Sequence, residues 1–201
     1  MGSGTSGKPD YHKRFDIGRY DINKRRWTEA ERSRLEEALS FMEKNFGDIS
    51  EYTGEIRKQY LRGAEGQYEY RDKERMIQEG LTTRYEWSKA TIFDTGHEAQ
   101  AHVMVHEFTH AVAETMAHDP RNVGATSYDG YHEKFRSEVY KAAGMEEPKR
   151  DNRRWASRAL EFPARMVEAY FEGDRSPLSV AAFKTLKEYW KRYKYNKSIS
   201  F

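Results

Sequence analysis

His106-Glu107-Phe108-Thr109-His110 combines the residue types and the spacing that metal-assisted hydrolysis requires. On a helix, positions i and i+4 lie one turn apart on the same face, so the two imidazoles can close on one metal ion. The glutamate between them projects beside that ion, where its carboxylate can take a proton from a metal-activated water. The chain contains no cysteine, so any zinc must be held by histidine and carboxylate. A catalytic zinc takes three protein ligands and keeps a fourth position open. Two candidates for the third ligand lie downstream, His132 and Glu161. His102 extends the histidine row by a further turn, but the eight residues from His102 to His110 rise by roughly 12 Å, too far for one ion with bonds near ~2 Å. It is expected at the surface or beside the site rather than on the metal.

The elements that must position these residues are also readable. Thr95 followed by Glu98 predicts a capping box opening a helix at about Gly96. Ala101, Val105, Phe108, Val112 and Met116 then form an apolar stripe that buries the helix and leaves the histidines facing a cleft. Upstream, Thr28 with Glu31 predicts a second capping box, and Leu35, Leu39 and Met42 give that helix an apolar face ending near Gly47. From Gly54 to Asp94 the period changes. Tyr68 and Tyr70 alternate, Tyr85 and Trp87 alternate, and Ala90 to Phe93 is a short apolar run, with breaks at Gly63, Gly66 and Gly80. This predicts three or four antiparallel strands. Downstream, Tyr131, Phe135 and Val139 mark a helix that stops at Gly144, and an Ala/Arg-rich stretch over 155–172 is helical. Ser176 caps a last helix with Pro177 in its first position and Phe183, Leu186 and Trp190 buried. The expected fold class is α+β: a small antiparallel or mixed sheet packed on the histidine-bearing helix, with further helices towards the C-terminus.

Ile92-Phe93-Asp94-Thr95-Gly96 matches the loop of aspartic proteases, but that chemistry needs two aspartates sharing a proton and the chain carries no second copy. Asp94 is expected as a turn residue between the last strand and the histidine helix.

At 201 residues the chain is long enough for a real core and fits one domain over 27–201. Residues 1–26 precede it. Met1–Gly7 reads as a flexible leader with no apolar segment of a signal peptide behind it. Lys8 to Arg26 mixes basic residues with Tyr11, Phe15 and Tyr20, while Asp10, Asp16 and Asp21 dilute the charge. An arm packed on the domain or a partner-binding extension is expected there, and nucleic acid stays open only through this basic arm. Charged residues make up 34% and mean hydropathy is −1.05, and no run approaches the ~18 apolar residues of a membrane span. A net charge of +2 is too small to argue for nucleic acid by itself. Freedom from cysteine suits the cytoplasm or export by a non-classical route, so the compartment stays unknown.

The HExxH pattern resembles that of the zincin metalloproteases, and a small sheet followed by helices is the layout these proteins share. More closely, the chain resembles the gluzincin group that includes anthrax lethal factor and the Pro-Pro endopeptidases. There an HEFGH-like helix is followed by a helix carrying Glu-Phe-Phe-Ala-Glu-Ala-Phe, whose first glutamate binds zinc. His106 to Val112 matches the first element, Glu133 to Gly144 resembles the intervening helix, and Glu161-Phe162-Pro163-Ala164 matches the start of the second. A looser likeness is to metallopeptidase domains of phage and mobile-element polyproteins. The resemblance covers roughly residues 90–172 and implies a zinc-dependent endopeptidase acting on a protein or peptide. It implies zinc on His106, His110 and Glu161, Glu107 as general base, and substrate laid along an edge strand. Ala90 to Phe93, or the strand near Tyr85 and Trp87, is the expected edge.

Two departures from the group matter. Its oxyanion-stabilising tyrosine, seven residues before the zinc-binding glutamate, is replaced by Arg154, followed by Trp155. Stabilisation is then expected from Arg165, Tyr128 or Tyr131. Pro163 is tolerated only in a first helical turn, which predicts a helix beginning close to Glu161 or kinked there. Arg165 and Glu168 fall at i+4 and i+7 from Glu161, as an orienting bridge between the carboxylates or a surface ion-pair ladder. Two alternatives remain. One is a likeness to SprT-like proteases acting on DNA-bound proteins, carried by Asp129-Gly130-Tyr131-His132 with His132 as third ligand. The other is a non-catalytic zincin-fold interaction module.

Overall fold

Thr28 opens the first helix as the sequence predicts. Its hydroxyl accepts the N–H of Glu31, and the Glu31 carboxylate returns to the N–H of Thr28, closing a reciprocal capping box at the start of α1 (Glu29–Phe46). Leu35, Leu39 and Met42 are buried along it, and Gly47 ends it with a φ of 74°. The computed structural model describes Tyr20, Ile22 and residues 27–70, 89–149 and 155–199. Within these follow α2 (Ser50–Thr53), β1 (Glu55–Gln59), β2 (Gly66–Tyr70), β3 (Lys89–Asp94) and α3 (Ala101–His118). A 3-10 turn (Pro120–Val123), α4 (Tyr128–Ala142), α5 (Trp155–Phe171) and α6 (Pro177–Ile199) complete an α+β, mostly helical fold. No described helix is long and apolar enough to cross a membrane.

The three strands form a mixed sheet in the order β1-β3-β2. β2 runs antiparallel to β3 with Gly66 opposite Phe93, while β1 runs parallel to it with Glu55 opposite Ala90. The all-antiparallel expectation thus fails for β1: side-chain alternation marks a strand but not its direction, and the chain passes through β2 before β3 enters between the two. β3 is therefore the central strand, buried from Ala90 to Asp94, and not an edge. The expected strand near Tyr85 and Trp87 lies outside the described residues. Of the N-terminal arm, Tyr20 is buried and its hydroxyl donates to Glu43 Oε1 at 2.9 Å, and Ile22 bridges Ile56 on the outer side of β1.

α3 occupies the middle of the core, between the sheet, α1 and α5. From Met104 onwards its residues are buried except one row at i+4 spacing, His106, His110, Glu114 and His118, which His102 extends into a first turn where Ala101 and Val103 are half-buried too. α6 closes the core from the other side, with Phe183, Leu186 and Trp190 buried and the Trp190 indole N–H donating to the Phe46 carbonyl at 2.6 Å.

Two boundaries depart from expectation. α3 begins at Ala101 with Gln100 as its cap, not at Gly96 behind a Thr95–Glu98 box. The intervening residues are committed elsewhere. Asp94 accepts the Leu61 N–H at 2.8 Å and pairs with the His97 ring at 2.7 Å, Glu98 pairs with Arg34 at 2.9 Å, and the Ala99 N–H goes to Glu31 at 3.0 Å. Asp94 is thereby the turn residue expected of it. α5 spans Trp155–Phe171, as the helical stretch over 155–172 predicts, but it does not begin at Glu161 as Pro163 suggested, and Pro163 lies inside it. The proline removes one backbone hydrogen bond in the helix interior, a cost of about 3 kcal/mol that packing of Phe162, Ala164 and Val167 must offset.

Glu31 joins three elements. At 1% exposure its carboxylate takes the Thr28 N–H of the α1 cap, Lys58 of β1 and the Ala99 N–H just ahead of α3. Burial pushes this carboxyl up, but Lys58 and the two backbone donors outweigh burial and hold it below its ordinary value of 4.5. Its stabilisation is therefore fully present above pH 4.5 and is lost as pH falls through the lower folded value. Glu31→Ala would leave the Lys58 ammonium buried without a counter-charge and should cost about 3–5 kcal/mol in urea unfolding at pH 7. The deficit relative to wild type should narrow in acid. A loss below about 1 kcal/mol at neutral pH would show the hub to be dispensable.

Candidate metal centre

His106 and His110 stand one turn apart on α3 with their Nε2 atoms 3.1 Å from each other. Glu161 of α5 comes down on both, Oε2 lying 3.2 Å from His106 Nε2 and Oε1 3.6 Å from His110 Nε2. Among the described residues these three form the group of His, Asp or Glu able to hold a metal ion, their ligand atoms all within 4.8 Å of one another. Two ligands at ~2.0–2.1 Å on a tetrahedral zinc are roughly 3.3 Å apart, close to what the imidazoles present, and a two-histidine, one-carboxylate set is a catalytic zinc donor set. The residues fit the ion, and the set leaves the open coordination position that chemistry needs.

α5 runs antiparallel to α3, since Glu161 meets His110 and His106, Glu168 meets His106, and Glu172 lies 3.6 Å from His102. The second of these contacts matters most. Glu168 Oε2 sits 2.8 Å from His106 Nδ1, so that nitrogen donates and Nε2 is left to face the metal position. Burial would lower the His106 pKa, but the Glu161 and Glu168 carboxylates outweigh burial and raise it to about 9, while His106 and His110 hold Glu161 well below its ordinary range. A metal cation at this point would replace the proton as the positive charge between the two carboxylates.

Glu107 faces the same cleft from beneath β2, 6% exposed. Burial pushes its carboxyl up. His110 and His106 pull it down, Glu161 adds to the rise, and the Tyr68 N–H, which donates to it, lowers it. The close approach of β2 depends on Gly66. A Cβ there would lie 2.8 Å from Glu107 Cγ and 3.0 Å from Val103 Cγ1, distances no side chain tolerates without displacing its neighbours. Because Glu65 C=O accepts the Asp94 N–H at 2.9 Å, residues 65, 67 and 69 turn their backbone groups towards β3. Gly66, Tyr68 and Tyr70 therefore turn theirs outwards over the cleft.

That cleft encloses about 1080 Å³ and runs from Arg165 and Leu160 past the histidines to Glu114, His118 and Tyr128. Arg165 is at its rim, 69% exposed and 3.8 Å from Glu161; the carboxylate that orients a histidine is Glu168, without an arginine bridge. Tyr128 lines the cleft and donates to Glu114 at 2.7 Å. Tyr131 is fully buried among Phe135 and Tyr189, so it is no candidate to stabilise charge in the cleft. His132, also buried, turns its Nε2 towards Glu114 at 3.8 Å and belongs to no metal-competent group among the described residues. Burial, with His110 and His118 nearby, lowers it to about 4 and keeps it neutral. Residue 154 lies outside the described residues. The roles of Gly66 and of the Tyr68 N–H were not read from the sequence, where a glycine beside a strand signals only a break. Glu114 was equally visible as the next i+4 position after His110.

No protein-family model, curated protein or solved structure matches this chain.

Zinc titration of the metal-free protein should give one equivalent, with melting temperature rising on binding. His106→Ala, His110→Ala and Glu161→Ala should abolish that equivalent, and His132→Ala should keep it. Glu168→Ala should weaken affinity by about 10–100-fold, because the imidazole loses its orienting acceptor. Retention of zinc by Glu161→Ala together with its loss from His132→Ala would reverse the assignment of the third ligand.

Proposed function

We propose that the chain is a zinc-dependent endopeptidase of the gluzincin type, with Glu107 as its general base. The observation that carries this reading is the placing of a buried carboxylate, Glu107, beside the convergent His106, His110 and Glu161, under the outward-facing edge of β2. The zinc held by those three groups would lower the pKa of a bound water towards ~7 and polarise a substrate carbonyl.

The chain's own residues supply the rest. Glu107 takes the proton of the attacking water and delivers it to the departing amine. Its raised pKa suits that double duty, since a base matched more closely to neutral pH both accepts and returns a proton. The Tyr68 N–H fixes one carboxylate oxygen so that the other faces the substrate. An extended peptide pairs with the outward C=O and N–H groups of Gly66 and Tyr70, as β-addition requires. Among the described residues the edge that receives it is β2; of the two strands the sequence pointed to, Ala90–Phe93 is central and the one near Tyr85 and Trp87 lies outside the described residues. Of the candidates named from the sequence, Arg165 at the rim is the group able to meet negative charge developing on the carbonyl oxygen, while the Tyr128 hydroxyl is donated to Glu114.

Glu107→Gln should keep the fold and one equivalent of zinc while hydrolysis of a proteome-derived peptide library falls by about 10²–10⁴-fold. Undiminished hydrolysis would remove Glu107 from the mechanism, and a zinc-loaded wild type that cleaves nothing would favour a non-catalytic module. Gly66→Ala should also retain zinc yet lower kcat by about tenfold or more, because its methyl group displaces the Glu107 side chain.

A further inference from the structure

Beyond the metal centre, towards Tyr70, the cleft ends on a carboxylate, Glu114, that meets no lysine or arginine among the described residues. Glu114 lies one turn past His110 on α3 and lines the cleft, its side chain 13% exposed. The Tyr128 hydroxyl donates to Oε2 at 2.7 Å. The next nearest donors are His118 Nε2, 3.7 Å from Oε2, and His132 Nε2, 3.8 Å from Oε1, both beyond hydrogen-bond reach. Among the described residues no lysine or arginine pairs with Glu114. His132 is 3% exposed with both ring nitrogens lacking a hydrogen-bond partner, and it is held neutral, so it offers Glu114 no counter-charge.

The walls around this carboxylate are aromatic and fixed. Tyr70 stacks on His118 at 3.8 Å, and Tyr128 packs against His118 at 5.1 Å and against His132 at 4.9 Å. These rings cover part of a carboxylate that can accept up to about four hydrogen bonds and receives one short one among the described residues, its remaining lone pairs facing the cleft. Two more deeply buried carboxylates have cationic or imidazole partners, Glu31 in Lys58 and Asp94 in His97. Glu114 has no such cation among the described residues, and the cleft leads to it directly from the metal centre.

We infer that Glu114, walled by Tyr70, His118 and Tyr128, is a specificity subsite for a lysine or arginine side chain of the bound peptide. This rests on the endopeptidase reading for its substrate class. The subsite's distance from the reacting bond follows from the helix. Glu114 is about six residues along α3 from the midpoint of the two histidines, or roughly 9 Å, which is two to three residues of an extended peptide. β2 runs from Gly66 over Glu107 to Tyr70 over His118. A peptide paired antiparallel to it places the basic residue on the N-terminal side of the cleaved bond.

The test uses the zinc-loaded full chain carrying Glu107→Gln, which binds without turnover, and alanine-based decapeptides with one lysine or one norleucine walked through each position. At one position lysine should bind at least about tenfold more tightly than norleucine. That difference should vanish in the Glu107→Gln/Glu114→Gln double variant and return in part with Glu114→Asp, zinc content staying at one equivalent throughout. Lack of any lysine preference, its survival in Glu114→Gln, or the absence of peptide binding would overturn the subsite. So would a second equivalent of zinc that Glu114→Gln removes, which would make Glu114 a metal ligand. Cleavage mapping with the wild type should place the preferred lysine two or three residues before the cut, and a different separation would count against the geometry. If the wild type cleaves nothing while the Glu114-dependent lysine preference stands, the peptidase reading fails and the cation subsite survives.

Discussion

Both nitrogens of His106 are committed to carboxylates on one neighbouring helix, Glu168 at Nδ1 and Glu161 at Nε2. That double contact fixes the register of α3 against α5, and most of the cleft geometry follows from it. Turning α5 by one residue, about 100°, would withdraw both carboxylates from the histidine row. The row is the single face of α3 that the core leaves uncovered, so its polar groups need partners from outside the helix, and α5 provides the first of them. Two carboxylates against one imidazole is an arrangement that holds together only with positive charge between them, supplied by a proton or by a metal ion.

The sheet contributes in a different way. β2 does not donate side chains to the candidate centre; it brings a backbone edge close to Glu107. Gly66 makes the approach sterically possible, and the Tyr68 N–H makes it favourable by meeting a buried carboxylate oxygen. Glu31 and Lys58 anchor the other end of this arrangement, tying α1 and β1 to the backbone that leads into α3. The general features of the centre are thus held from two directions, by charge pairing from α5 and by backbone contact from β2.

Much of this was legible in the sequence where the signal is local. The capping box at Thr28, the helix faces of α1, α4 and α6, and the i, i+4 histidines all depend on residues within a few positions of one another. What could not be read was decided by partners distant in the chain. Glu98 resembles a capping residue until Arg34 takes it, and the Ala99 N–H is withdrawn from any helix start by Glu31. β1 looks like any other strand, and only the insertion of β3 beside it makes the pair parallel. Glu168 was visible on the Glu161 face of α5, yet the antiparallel passage of α5 along α3 is what delivers it to His106 and not to Arg165. Pro163 was read by a local rule that the packing around it overrides.

The hydrogen bond from Trp190 to the Phe46 carbonyl joins residues 144 positions apart, and through it the last described helix closes the core that the first one opens. During synthesis α1 and α3 must therefore wait, with apolar faces uncovered, until α6 has left the ribosome. Contacts of such long sequence separation slow folding and lengthen exposure to aggregation. Glu161 and Glu168 emerge before α6, so His106 can meet its carboxylates in a nascent chain whose core is still open. A metal ion captured at that stage would act as an early staple, favouring the correct pairing of α3 and α5 before the final helix docks.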